Sequence, residues 1–201
     1  VFATARYLGI SEKCLNGLEH VSYGMIRLPE GKMSSRKGNF VKVTDLLNEA
    51  ITKVDEIMQD RDIQDKEKVS KQVGIGAVIF EDLAESRVKN QVFDLKKALN
   101  FNGETGPYIQ YMAVRTNSVL NKAGYIPEIA NVDYEKLTDD SSIRLVKEIS
   151  NYEQTVVEAM SKNEPSIISR YFIFLSRNIA TASSLAALNM VGTFPPFLPA
   201  S

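Results

Sequence analysis

Tryptophan is absent from this chain, and cysteine and histidine occur once each, at Cys14 and His20. A single cysteine excludes an intrachain disulfide and a cysteine-cluster metal site, and one histidine leaves too few ligands for an ordinary zinc site. A Ser-His-Asp triad has only His20 to build on. No apolar run approaches the roughly 18 residues of a membrane span, and no charged-then-apolar signal segment opens the chain. A cytoplasmic location is therefore the expectation, with no membrane partner. A surplus of charge is lacking too: the net charge is -1, so no global basic field announces nucleic acid. Any polyanion site must be local. The 201 residues suffice for one large domain or two small ones. An initiating methionine is also missing: Val1 opens what reads as the middle of an element, and a piece of a longer protein is expected.

What is present is one dense stretch, Gly31-Lys32-Met33-Ser34-Ser35-Arg36-Lys37-Gly38-Asn39, directly after an apolar run. Its glycines let backbone approach a ligand, its hydroxyls can bond phosphate oxygens, and Lys32, Arg36 and Lys37 supply compensating charge. By composition alone such a loop is either solvated surface or a cradle for a polyanion, most plausibly a nucleotide's phosphates.

Around it the chain reads as helix and strand in alternation, then as helix throughout. Phe2 to Leu8 looks like a helix tail closed by Gly9, His20 to Ile26 like a strand, and Phe40 to Val43 like a short strand. From Thr44, read as an N-cap, Leu46, Leu47, Ala50, Ile51, Val54, Ile57 and Met58 share a helical face. A charged loop spans Gln59 to Lys68, and a helix follows from about Val69 to Arg87. Gly74 and Gly76 within it mark either close packing or a break. Asp94 reads as the cap of a short turn, Leu95 to Leu99. Asn100 to Pro107 is turn-rich and reads as a domain boundary. Beyond it, Thr105 caps a helix with Pro107 in its first turn, closed by Gly124. One long helix is expected from Asp139 or Asp140 past Met160. Another is opened by Pro165, with Ile168, Tyr171, Phe172, Leu175 and Ile179 as its buried side.

The order Lys32-Met33-Ser34-Ser35-Arg36 resembles the Lys-Met-Ser-Lys-Ser loop of class I aminoacyl-tRNA synthetases. Two longer stretches narrow the resemblance. His20-Val21-Ser22-Tyr23-Gly24-Met25 leading into Lys32 to Asn39 is similar to the arginyl-tRNA synthetase version of this region. Gly103-Glu104-Thr105-Gly106-Pro107-Tyr108-Ile109-Gln110-Tyr111, with Arg115 a turn later, resembles the opening of that family's helical anticodon-binding domain. The resemblance covers about residues 1 to 170.

It implies a mainly α chain in three parts. Residues 1–44 would be the C-terminal end of a Rossmann-type α/β catalytic domain, 45–101 a helical connector along the tRNA stem, and 102–201 an incomplete α-helical anticodon-binding bundle. It implies attachment of arginine to its tRNA through an arginyl-adenylate, with ATP and Mg2+ as the substrate complex, no structural metal and a monomer. Lys32, Ser34, Ser35 and Arg36 would carry catalysis. Gly24, Met25, Lys32, Met33, Ser34, Ser35, Arg36 and Lys37 would bind ATP, and Tyr108, Gln110, Tyr111 and Arg115 would meet tRNA.

Departures matter as much. Ser35 stands where the signature has its second lysine, so Arg36 and Lys37 are the candidates to supply that charge, although a guanidinium is a forked donor and not an ammonium. The His-Ile-Gly-His-type motif that holds the other side of ATP does not occur in the chain. The isolated chain is therefore expected to be inactive. Bland readings stay open beside the sharp ones. His20 can be satisfied by backbone, Gly24 and Met25 can serve packing alone, and the α-helical tyrosines can be core with polar tips. The charged runs Arg61 to Lys71 and Arg87 to Lys97 read as solvated faces, with Lys96 and Lys97 as candidates to meet a phosphate. A stand-alone RNA-binding helical module, another class I synthetase and, least favoured, a P-loop domain remain the rivals. The last lacks its required Gly-x-x-x-x-Gly-Lys-Ser/Thr.

Overall fold

A computed structural model describes residues 2–29, 41–124 and 138–189, with only the backbone for residues 123 and 183–189. Helices α1 (Phe2–Tyr7) and α2 (Glu12–Asn16) open it. Gly9 follows α1 at φ +71, the left-handed geometry that ends helices and that glycine adopts without strain. Strand β1 (Ile26–Arg27) pairs in parallel with β2 (Gln91–Val92), Ile26 opposite Gln91 and Arg27 opposite Val92.

The strand expected over His20 to Ile26 is thus confined to its end. Upstream of Ile26 the backbone still bonds to the same partner segment, but irregularly: Gly24 N–H donates to the Arg87 carbonyl at 2.6 Å and Met25 N–H to Asn90 Oδ1 at 2.8 Å. A side chain occupies the place of a ladder carbonyl there, so regular pairing stops.

Two helices fill the crossover between the strands, α3 (Val43–Ile57) and α4 (Lys66–Ala84). The expected strand Phe40 to Val43 is not formed by its described part. Lys42 is the N-cap, and its carbonyl accepts from Asp45 and Leu46 N–H at 3.1 Å each. Val43 is therefore helical and Thr44 lies inside the helix, not at its cap. Ala50 and Val54 of α3, and Met58 at its C-cap, are buried against Ala77 and Val78 of α4, with Phe93, Ala98 and Leu99 completing this core. Gly74 marks close packing and no break. A Cβ there would lie 2.9 Å from Ile51 N and 3.0 Å from the Ala50 carbonyl carbon, so the missing side chain is what lets α3 and α4 touch.

The Asp94 carboxylate accepts from Lys96 and Lys97 N–H at 2.8 and 3.3 Å, capping α5 (Leu95–Ala98). Thr105 caps α6 (Gly106–Ala123): its hydroxyl accepts from Tyr108 N–H at 3.3 Å and donates to the Asn100 carbonyl, while Gly124 at φ +70 closes the helix. Thr105 is buried, so water cannot take over either bond. Thr105→Ala is expected to cost about 1–2 kcal/mol in chemical denaturation. A midpoint equal to that of the parent chain would count against the cap.

The single long helix expected from residue 139 is two: α7 (Asp140–Ser150), capped by Asp139 onto Ser142 N–H at 2.9 Å, and α8 (Tyr152–Lys162). The chain turns at Asn151 because α9 (Ser166–Asn189) intrudes. Tyr171 of α9 donates its hydroxyl to the Glu148 carbonyl at 3.1 Å, and its ring lies 5.6 Å from that of Tyr152. That carbonyl is the acceptor a continuous helix would have given to residue 152. On α9 itself, Tyr171 is buried as expected, but Ile168, Phe172, Leu175 and Ile179 are half-buried. The innermost line is Ser166, Ser169, Ile173 and Ser176. Small side chains allow close approach, and Ser169 Oγ donates to the Leu83 carbonyl of α4 at 3.2 Å. Helix α4 packs against α3, α5, α6 and α9, making it the element shared by both halves of the chain.

Candidate functional site

Lys32, Met33, Ser34, Ser35, Arg36 and Lys37 lie outside the described residues. What the structure does define is where their segment departs. It leaves the carboxyl end of β1, which lies parallel to β2. In open parallel α/β sheets, ligands bind in the crevice beyond the carboxyl ends of strands.

Just before β1, Gly24 passes very close to the stretch 87–90. A Cβ on Gly24 would fall 1.9 Å from the Lys89 carbonyl oxygen and 2.3 Å from its carbon. The bare Cα is thus required by neighbouring backbone, and the packing reading of Gly24 holds whether or not a ring approaches its other side. Met25 is anchored by its backbone, its N–H on Asn90 Oδ1 and its carbonyl accepting from Gln91 N–H at 3.0 Å. Its side chain is 61% exposed and available to a ligand. His20 is exposed as well.

The segment is held from behind by Arg87, which composition reads as one more residue of a solvated charged run. The Arg87 guanidinium donates to the Ser22 carbonyl and, at 3.3 Å, to Ser22 Oγ. It donates also to the Asn163 carbonyl at 2.8 Å and the Lys162 carbonyl at 3.4 Å. Glu164 completes the junction: its carboxylate accepts from Arg87 N–H at 3.2 Å, Ser86 Oγ at 3.0 Å and Ser166 Oγ at 2.9 Å. Burial pushes the Glu164 carboxyl upward, but the Ser166, Arg87 and Ser86 bonds and the Arg87 charge outweigh it and hold the group below its ordinary value. No local sequence signal marks these residues, because their partners are distant in the chain.

On α6, Tyr108, Gln110, Tyr111 and Arg115 are all half-buried, beside the buried Met112. Gln110 is turned to α4, where its Nε2 donates to the Gln72 carbonyl at 3.2 Å and lies over Gly76. Lys97, a candidate for a phosphate, instead reaches Glu81 at 2.8 Å, and that bond, opposed by burial, raises its pKa. Lys96 is exposed. Among the described residues there is no cluster of three or more His, Cys, Asp or Glu side chains able to hold a metal, and no helix long and apolar enough to cross a membrane.

A family model for the catalytic domain of class I (R) tRNA synthetases matches residues 1–95, and one for the DALR anticodon binding domain matches residues 109–182. The two matches, in this order along the chain, place it among the class I aminoacyl-tRNA synthetases. Within that class the chain belongs to the arginyl-tRNA synthetase family. It is 47% identical over 160 residues to the arginine–tRNA ligase of Halothermothrix orenii and 41% identical over 160 residues to that of Clostridium acetobutylicum. Each alignment takes in 79% of this chain, which spans 28% of the length of either relative. The arginyl-tRNA synthetase of Thermus thermophilus superposes with a TM-score of 0.74 at 28% identity, over 83% of this chain and 27% of its own. That of Plasmodium falciparum, at 19% identity and a TM-score of 0.67 over 86% of this chain and 29% of its own, shares the fold. The anticodon-domain match reaches residue 182, so the family resemblance extends beyond the limit near residue 170 expected from the motifs.

Proposed function

We propose that this chain works as part of a longer arginine–tRNA ligase, which activates arginine with ATP and Mg2+ and passes it to tRNA through an arginyl-adenylate. The observation that carries this reading is the departure of the Lys32 segment from the carboxyl end of a parallel strand, in a chain whose next domain matches an anticodon-binding family. In this reading Gly24 and Met25 line the adenine side. Lys32, Met33, Ser34, Ser35, Arg36 and Lys37 lie along the triphosphate. Cations placed there stabilise charge that grows on the phosphates as the carboxylate attacks and pyrophosphate leaves, and such contacts raise the rate because they strengthen in the transition state. Tyr108, Tyr111 and Arg115, with Gln110 partly committed to α4, form the surface offered to tRNA through stacking and cation–phosphate contact. Residues 1–44 serve as the end of the catalytic domain, 45–101 as connector and 102–201 as the anticodon-binding part.

Tyr7, Leu8, Tyr23 and Met25 are exposed by 91, 74, 85 and 61%, an apolar surface suited to packing against more of a catalytic domain. The isolated chain is accordingly expected to bind arginine-accepting tRNA without charging it. Joining it to the upstream portion of the Halothermothrix orenii ligase should restore charging. Filter assays of arginyl-tRNA formation on both forms test this, and robust charging by the 201 residues alone would refute it.

A further inference from the structure

We propose that Arg87 is a positioning residue for nucleotide binding: its guanidinium ties Ser22, at the head of the Ser22–Met25 stretch, to the turn between α8 and α9. This rests on the reading of Gly24, Met25 and the Lys32 segment as the ATP side. Arg87 sits at a crossing of three stretches. Its side chain ties the Ser22 carbonyl to the carbonyls of Lys162, the last residue of α8, and of Asn163, its C-cap. Its backbone carbonyl accepts from Gly24 N–H at 2.6 Å, and its backbone N–H is held by Glu164. Asn163 Nδ2 adds a bond to Glu19 Oε1 at 2.8 Å, from the same turn to the same segment.

The turn itself is built to present those acceptors. Asn163 takes the left-handed conformation at φ 49, and Glu164 N–H returns to the Ala159 carbonyl at 3.0 Å. This closure ends α8 while leaving the Lys162 and Asn163 carbonyls to an outside donor. Arginine suits the task because its planar fork carries donors in several directions at once, and a lysine in its place can point at one cluster only. Ser22–Met25 runs directly into β1 and from there to the Lys32 segment. A shift of α8 and α9, the matched anticodon-binding part, therefore reaches the nucleotide side through Arg87.

The test is made in the joined enzyme, with ATP–pyrophosphate exchange giving KM and kcat separately. Arg87→Ala is expected to raise the KM for ATP about tenfold with a smaller change in kcat, as loss of an ionic hydrogen-bond cluster would. Arg87→Lys is expected to recover part of this, to about threefold above the parent. Hydrogen exchange on the isolated chain supplies a readout independent of turnover: Arg87→Ala should deprotect peptides covering Ser22–Met25 and the α8–α9 turn together, while α3 is unchanged. An unchanged KM for ATP, or a fall in kcat that merely follows loss of folded protein, overturns the positioning role. So does unchanged exchange at Ser22–Met25. Should Arg87→Ala not fold, Arg87→Lys alone decides, since a KM equal to the parent's overturns the proposal. Lys32→Ala beside it separates the claims. Parent-like kcat and KM in ATP–pyrophosphate exchange by Lys32→Ala overturn the nucleotide reading, whereas a defective Lys32→Ala with a normal Arg87→Ala overturns the positioning role alone.

Discussion

Lys32→Ala in the joined enzyme is expected to slow arginyl-adenylate formation by a factor on the order of 100, equivalent to about 3 kcal/mol of lost transition-state stabilisation. The reason is electrostatic. As the arginine carboxylate attacks the α-phosphorus, charge grows on the bridging and pyrophosphate oxygens, and a lysine ammonium meets that charge better in the transition state than in the ground state. On the proposed reading, Ser35 in the place of the signature's second lysine would leave more of that load to Lys32, Arg36 and Lys37. Arg36→Ala is expected to act in the same direction. Measured by ATP–pyrophosphate exchange, the loss should fall on kcat, with the affinity for tRNA unchanged. A loss of tRNA affinity with normal adenylate formation would instead give the loop to RNA, which is the stand-alone-module reading.

Gly24→Ala is expected to be the most damaging single methyl in the described part of the chain. Ordinary contacts of a Cβ begin near 3.4 Å, but at Gly24 it would meet the Lys89 carbonyl oxygen at 1.9 Å, and both close atoms are backbone. Neither can rotate away, so the segments must separate. That separation breaks the Gly24–Arg87 bond at 2.6 Å and strains the bonds of Met25 to Asn90 and Gln91. Overpacking of this kind costs about 3 kcal/mol at its upper range. The expected result is a lower unfolding midpoint, lost hydrogen-exchange protection in β1 and β2, and a raised KM for ATP in the joined enzyme. Gly17→Ala is the control, because a Cβ there meets only the Cys14 and Lys13 carbonyl oxygens at 3.6 and 3.7 Å. Equal midpoints for the two variants would mean that the close approach is not a constraint.

Local chemistry was readable from the sequence, and long-range chemistry was not. The caps at Asp94, Thr105 and Asp139, and the closing glycines at positions 9 and 124, declare themselves within a turn of where they act. The split between α7 and α8 does not, because its cause is Tyr171 arriving from another helix. Nor does the serine line of α9, whose burial follows from closeness to α4 and not from hydrophobicity. The Phe40-Val41-Lys42-Val43 alternation suggested a strand, but the Lys42 carbonyl is taken by helical donors, and a period over four residues decides nothing. For the site, the order of residues in the Lys32 segment carried the reading, whereas Arg87 was hidden. Its acceptors at Ser22 and Asn163 lie 65 and 76 residues away in sequence.

The central claim is that residues 31–39 hold the phosphates of ATP, and photo-crosslinking tests it most directly. An ATP analogue with a photoreactive group on its γ-phosphate is added to the joined enzyme without tRNA, and the labelled peptides are sequenced. The account predicts label within residues 31–39, competed by ATP and unaffected by RNA. Label that avoids this stretch, or a stretch protected by tRNA and indifferent to ATP, would contradict it.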